Sequence, residues 1–128
     1  MKHPERVEDY LEHIAQAIER ASRYIEPFAD AHALRQNEQV QDAVVRNIDI
    51  IGEAAARIQK IAPAFVSSHR GVPWIEMRGM RNKMIHEYFD VDWDVVWRTV
   101  KNDLPGLKTL IGDLIAERHQ MREEPDKS

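Results

Sequence analysis

Apolar residues recur at steps of three and four from Val7 through Leu11, Ile14, Ile18 and Ala21 to Ile25, the spacing of one face of an α-helix. Pro4 stands near the first turn, where proline is tolerated, and Pro27 ends the segment because proline removes an interior N–H and crowds the preceding turn. A second stripe passes through Val40, Val44, Ile48, Ile51, Ala55 and Ile58, predicting a helix from Asn37 to Ala62 that Pro63 closes. Gly52 lies inside this helix at a cost of about 1 kcal/mol relative to alanine, which points to close backbone approach by a neighbouring helix. Pro73 is placed to open a third helix carrying Trp74, Met77, Met80, Met84 and Ile85, with its C-terminal end near His86 to Phe89. Asp92 is set to cap a fourth, whose apolar side is Trp93, Val96, Trp97, Val100 and Leu104. Pro105-Gly106 then kinks or restarts the helix, which continues through Leu107, Leu110, Ile111, Leu114 and Ile115.

No segment of useful length alternates with period two, so strands are not expected. The pattern predicts an all-α fold: an antiparallel up-and-down bundle of four to five helices in one domain over residues 1–116, followed by a polar tail over 117–128. The stretches Glu26 to Gln36 and Pro63 to Val72 read as its most mobile connections.

Composition narrows the function classes. The chain has no cysteine, which excludes a thiolate zinc site and a disulfide framework. Its start lacks the apolar stretch of a secretory signal, and no apolar run approaches the roughly 18 residues of a membrane helix. A soluble cytoplasmic protein without membrane contact is expected. His3, His13, His32, His69 and His119 are scattered, and none follows a glutamate by three residues, so di-iron ligand pairs are absent and neither metal nor cofactor is expected. With 18 basic and 22 acidic residues the formal charge is −4, so any surface for nucleic acid must be local. Arg70, Arg78, Arg81 and Lys83 supply one such run against Glu76 alone.

The chemistry concentrates in Arg81-Asn82-Lys83-Met84-Ile85-His86-Glu87-Tyr88. An imidazole moves protons near neutral pH, and a guanidinium holds phosphate in a planar fork. RNA transesterification needs those two functions and no metal: a base for the 2′-hydroxyl, an acid for the leaving 5′-oxygen, and positive charge around the transition state. One histidine does not easily serve as base and acid in a single displacement. A symmetric homodimer meeting at the third helix would bring two copies of Arg81 and His86 into one cleft. On an ideal helix Arg81 and His86 stand about 140° apart, whereas Arg78, Asn82 and His86 form one line and Arg81 and Tyr88 another. His86 is therefore expected where the helix ends, or the two groups converge by reach and across the dimer. Asn82 is suited to orient the imidazole or bind a phosphate oxygen, and Arg78 to add charge.

Plainer readings stand beside these. Arg81 alone would be an ion-pair partner of Glu76 or Glu87, His86 a surface or capping residue, and Tyr88 a half-buried phenol. Arg46, Asp49 and Glu53 read as an ion-pair set along one helix. Met77, Met80 and Met84 read as core or dimer packing.

The motif has the form R-x-x-x-x-H-x-Y and does not stand alone. AVVRNIDIIGEAAA spans 43–56, and Val72-Pro73-Trp74 and Met77-Arg78-Gly79-Met80 precede the motif. Phe89-Asp90-Val91-Asp92, Val96-Trp97-Arg98-Thr99-Val100 and Asp103-Leu104-Pro105 follow it. With these blocks, over roughly residues 5–116, the chain resembles the HEPN-domain ribonuclease toxins, and more closely the HepT-like toxins encoded beside a minimal nucleotidyltransferase antitoxin (HEPN/MNT systems). The resemblance implies a HEPN-like bundle and a homodimeric, metal-independent endoribonuclease with an interface active site. Arg81 and His86 would be its catalytic pair, with RNA as substrate and Arg78 and Asn82 in support. Tyr88 would be the residue that the nucleotidyltransferase antitoxin AMPylates. The alternative is a non-catalytic HEPN-like module that binds RNA or a protein partner.

Overall fold

The computed structural model describes residues 6–87 and 90–123, with the backbone alone for His86, Glu87, Arg122 and Glu123. Pro4, His3 and Tyr88 lie outside the described residues. The long helices follow the apolar stripes closely: α1 is Val7–Ile25, α3 Glu38–Ile61, α5 Trp74–Met84 and α7 Leu104–Glu123. The short helices α2 (Ala31–Arg35), α4 (Pro63–Ser68) and α6 (Trp93–Arg98) lie between them.

Local chemistry sets the boundaries. Asn37 accepts from the Val40 N–H at 3.1 Å and Asp92 from the Val95 N–H at 3.2 Å, each side chain satisfying a donor that a helix start leaves orphaned. Pro63 occupies the first turn of α4, where its missing N–H costs nothing. The two connections read as mobile thus each contain a short helix; the first is capped by Asp30, which accepts from the Ala33 N–H at 2.9 Å. The final helix restarts beside Pro105, since α7 begins at Leu104 after a π-helical turn. Pro105 has no N–H to offer four residues back, and the chain takes a π-helical turn over Thr99–Asp103, where the Leu104 N–H reaches the Thr99 carbonyl five residues back.

Cross-contacts give the direction of each helix. Arg20 on α1 meets Asn47 on α3, while Tyr10 and His13 line a cavity with Arg57 at the other end of α3. Glu8 meets Arg118 and Glu19 meets Lys108, so α7 also runs against α1. The result is the predicted antiparallel all-α bundle.

Leu11, Ile14 and Ile18 of α1, Ile48, Ile51 and Ile58 of α3, Met77 and Met84 of α5, and Leu104 and Ile111 of α7 are fully buried and share one core. The methionines at 77 and 84 are therefore core, and Met80 packs partly against it. Leu110, read as apolar-side, is 36% exposed instead. The region read as a polar tail begins inside α7, which stays helical through Glu123 and bonds to α1 and to His69 through Arg118 and Glu117. Residues 124–128 lie outside the described residues.

Gly52 has the role its position predicted. A Cβ there would stand 3.2 Å from the Met77 carbonyl oxygen and 3.5 Å from that of Arg78. The missing side chain lets α5 lie against α3 at the residues leading into the motif.

One expectation fails. A two-stranded antiparallel ribbon pairs β1 (Ile85–Glu87) with β2 (Asp90–Val91), with Ile85 opposite Val91 and an irregularity before Glu87. The Asp92 N–H closes its base on the Met84 carbonyl at 2.8 Å. Ile85 and Val91 are β-branched, residues that favour extended backbone. The segment is too short to show alternation, which is why the pattern missed it.

Candidate active site

Helix α5 ends at Met84, and Ile85 is already extended at φ −117, ψ 104. The motif is thereby split. Arg81 and Asn82 sit on the last turn of α5, and His86 belongs to β1. The line Arg78, Asn82, His86 that a continuous helix would draw is interrupted before its last member. The expected placement of His86 just where the helix finishes is met in its backbone; Tyr88, the expected AMPylation position, lies outside the described residues.

Arg81 does not pair with Glu76. Its Nε stands 2.7 Å from Oδ1 of Asp49 on α3, and the two side chains are 50% and 41% exposed. The N–H is not aimed squarely at the oxygen, so Asp49 Oδ1 is buried without an aligned hydrogen bond among the described residues. Burial raises the Asp49 carboxyl above the usual aspartate range, and the nearby Arg81 and Arg46 charges only partly offset it. The ion-pair set read along α3 is accordingly replaced by a bridge between α3 and α5. Among the described residues Arg46 and Glu53 form no ion pair. Arg46, four residues from Ile50 and three from Asp49, is the functional candidate that periodicity passed over, because a charge on an exposed helical face carries no signal until the neighbouring helix is in place.

Arg81, Arg46 and Asp49 share a cavity of about 330 Å³ with Ile85, the neighbour of His86. Arg78 is turned elsewhere, donating to Gln59 Oε1 at 2.7 Å. Asn82 is exposed at the end of α5. Lys83 and Glu76 line a different cavity, between α5 and the π-helical turn, together with Met80. The basic run from Arg70 to Lys83 is therefore no single face, and Arg81 gains its companion cation from α3.

The side chains chemically suited to RNA cleavage are thus brought together only in part: the Arg81 guanidinium beside Asp49 and the Arg46 guanidinium share one cavity, whose wall includes Ile85, the residue before His86. Among the described residues no group of histidine, aspartate and glutamate is arranged to hold a metal. None of the described helices is long and apolar enough to cross a membrane.

Comparison with known proteins shows the family. Residues 14–114 match the family described as Ribonuclease HepT-like. A protein of Thermococcus cleftensis named "Probable ribonuclease HepT" is 44% identical over 100 residues, covering 78% of this chain and 87% of that protein. A protein of Caldanaerobacter subterraneus subsp. tengcongensis named "Putative RNase" is 34% identical over 106 residues, covering 83% and 91%. No solved structure matches the chain. By the extent of these matches, the chain belongs to the HepT-like ribonuclease family.

Proposed function

We propose that the chain is the toxin of a toxin–antitoxin pair, a cytoplasmic endoribonuclease that cleaves RNA by transesterification without a metal. The observation that carries this reading is the placement of Arg81, tethered to Asp49, in a cavity whose wall includes the residue next to His86. In the reaction, a histidine takes the proton of the 2′-hydroxyl, the 2′-oxygen attacks phosphorus, and the bond to the 5′-oxygen breaks as that oxygen receives a proton. Arg81 stabilises the charge gathered on the phosphoryl oxygens, and Asn82 and Arg78 support substrate or imidazole. General acid–base assistance contributes about 10² to 10⁴ in rate, and preorganised charge often contributes more.

Two His86 copies in a homodimer separate the base from the acid. Arg81 has half of its side chain exposed, so a second copy can approach the cavity without unfolding the bundle. A nucleotidyltransferase antitoxin AMPylating Tyr88, two residues from His86, would set bulk and negative charge where substrate phosphate must sit.

Purified protein incubated with short RNAs in EDTA tests the reading. Products ending in 2′,3′-cyclic phosphate and 5′-hydroxyl are expected. Cleavage that requires an added divalent ion would overturn the metal-free mechanism, and no cleavage of any RNA would overturn the reading in favour of a binding module.

A further inference from the structure

The cavity beside Arg81 contains more than the cleavage chemistry uses. At about 330 Å³ it falls in the range of small-molecule sites, and its two walls differ. Val45, Ile85, Val91 and Trp93 form an apolar wall. Asp42, Arg46, Asp49 and Arg81 form a charged one. Arg46 is exposed and has neither hydrogen bond nor ion pair among the described residues. Trp93 is half-buried, and its indole N–H likewise has no hydrogen-bond partner among them.

Two arginines against two carboxylates leave this wall without net charge, so it is no simple anion trap. Asp49 is in close contact with Arg81 and feels Arg46 only through its charge, so Arg46, which makes no hydrogen bond or ion pair among the described residues, is the cation placed to receive a phosphate, with Asp42 opposing it one turn away. Inorganic phosphate would gain little there. A nucleotide gains two interactions together: a charge-assisted contact from phosphate to guanidinium and contact of its base with an aromatic and aliphatic wall. Arg81 lines the same cavity, so a nucleotide there lies beside the arginine proposed to act in cleavage.

We infer that this cavity is a nucleotide subsite, in which Arg46 holds a phosphate of single-stranded RNA beside the bond to be broken and Trp93 with its aliphatic neighbours receives the attached base. The identity of the strand rests on the ribonuclease reading; the binding itself requires no cleavage.

Fluorescence anisotropy with a labelled 2′-O-methyl adenosine decamer, which lacks the nucleophilic hydroxyl, tests it on the full chain. Arg46→Ala is expected to raise Kd about tenfold and to flatten the dependence of log Kd on log salt by about 0.7, the loss of one phosphate contact to a single strand. Arg57→Ala removes a cation from the same helix about 16 Å away and is expected to leave Kd unchanged. No loss at Arg46, or equal losses at Arg46 and Arg57, would overturn the subsite in favour of diffuse attraction. An abasic decamer should bind the wild type more weakly than the adenosine decamer, and Trp93→Leu should abolish that difference while sparing the abasic strand. Should Trp93→Leu fail to fold, the Trp93 indole N–H resonance of the wild type must shift with the adenosine decamer and not with the abasic one or with inorganic phosphate. Equal affinity for both decamers removes the base wall. With a cleavable RNA, Arg46→Ala should raise KM and leave kcat nearly unchanged. A wild type that binds as described but cuts no RNA would defeat the ribonuclease reading and leave the subsite standing.

Discussion

Asp49 and Arg81, separated by 32 positions in sequence order, meet at 2.7 Å across the α3–α5 contact and place the motif arginine toward the body of the bundle. The pair is roughly half-exposed, so it adds at most about 1 kcal/mol to stability. Its value lies in orientation. Asp49→Asn keeps the shape and removes the charge that tethers Arg81. We expect kcat for RNA cleavage to fall about tenfold, the size of one lost positioning contact, while thermal melting changes little. Unchanged kcat would mean that Arg81 finds its working position without Asp49. Because burial raises the Asp49 pKa, its ionisation penalises the fold above that pKa, and the penalty is released as pH falls towards the ordinary aspartate range. Urea titrations should therefore show a shallower dependence on pH in Asp49→Asn at mildly acidic pH.

His86→Ala and Arg81→Ala separate catalysis from structure. His86→Ala should reduce cleavage by at least about 10², and Arg81→Ala by a similar or larger factor, since each removes one of the two effects the reaction needs. Melting temperatures should stay near that of the wild type, because Arg81 and the Asp49 side chain it pairs with are each roughly half-exposed. Strong destabilisation by both substitutions, measured by thermal melting, would assign the motif a structural role.

Gly52 offers a test of the α3–α5 approach. Alanine would gain about 1 kcal/mol of helix propensity but drive a methyl group to 3.2 Å from the Met77 carbonyl oxygen, and backbone does not swing aside as a side chain does. Overpacking costs typically about 1–3 kcal/mol, so Gly52→Ala should be net destabilising by about 1 kcal/mol and Gly52→Val by more. Because any relief displaces the helix that carries Arg81, RNA cleavage should drop further than stability alone explains. A stabilised Gly52→Ala protein, by chemical denaturation, would refute the tight contact.

Glu8 and Arg118 fasten the two ends of the chain, with Arg118 Nε donating to Glu8 Oε2 at 2.7 Å and the Glu8 side chain only 10% exposed. Burial pushes the Glu8 carboxyl up, but the hydrogen bond and charge of Arg118, the Glu8 backbone N–H and Arg6 together bring it below the usual glutamate value of 4.5. A lowered carboxylate pKa stabilises the fold above the unfolded-state value and loses that contribution as pH falls through the folded one. The wild type should accordingly weaken below about pH 4.5, and Glu8→Gln should lose less over the same range. At pH 7 Arg118→Met, which leaves the buried carboxylate with only the more distant Arg6 at 3.9 Å, should cost about 1–3 kcal/mol in urea unfolding. Identical acid profiles for Glu8→Gln and the wild type would exclude this pair as the source.

Much of the fold was legible because burial has a period. The stripes through Ile14, Ile48 and Ile111 name helices on their own, prolines at 27, 63 and 73 punctuate them, and Asn37 and Asp92 announce their starts through side-chain oxygens that act within three residues. The β-ribbon was not legible, since five strand residues cannot establish a period of two and their pairing depends on Met84 and Asp92 closing the base. The π-helical turn was visible only as a disturbance at Pro105, because the choice between a kink and a wider turn depends on what the surrounding helices permit.

The same division runs through the candidate site. Residue types and short-range spacing by themselves set Arg81, Asn82 and His86 near a helix end, since those relations act within a few positions along the chain, while the grouping of Arg81, His86 and Tyr88 as one motif came from the resemblance. Only the tertiary structure decided that Arg81 is held by Asp49, that Arg78 turns to Gln59, and that Arg46 enters the Arg81 cavity with Trp93. Those outcomes depend on how α3 is rotated and offset against α5, which the Gly52 contact and the shared core fix through interactions between residues far apart in sequence.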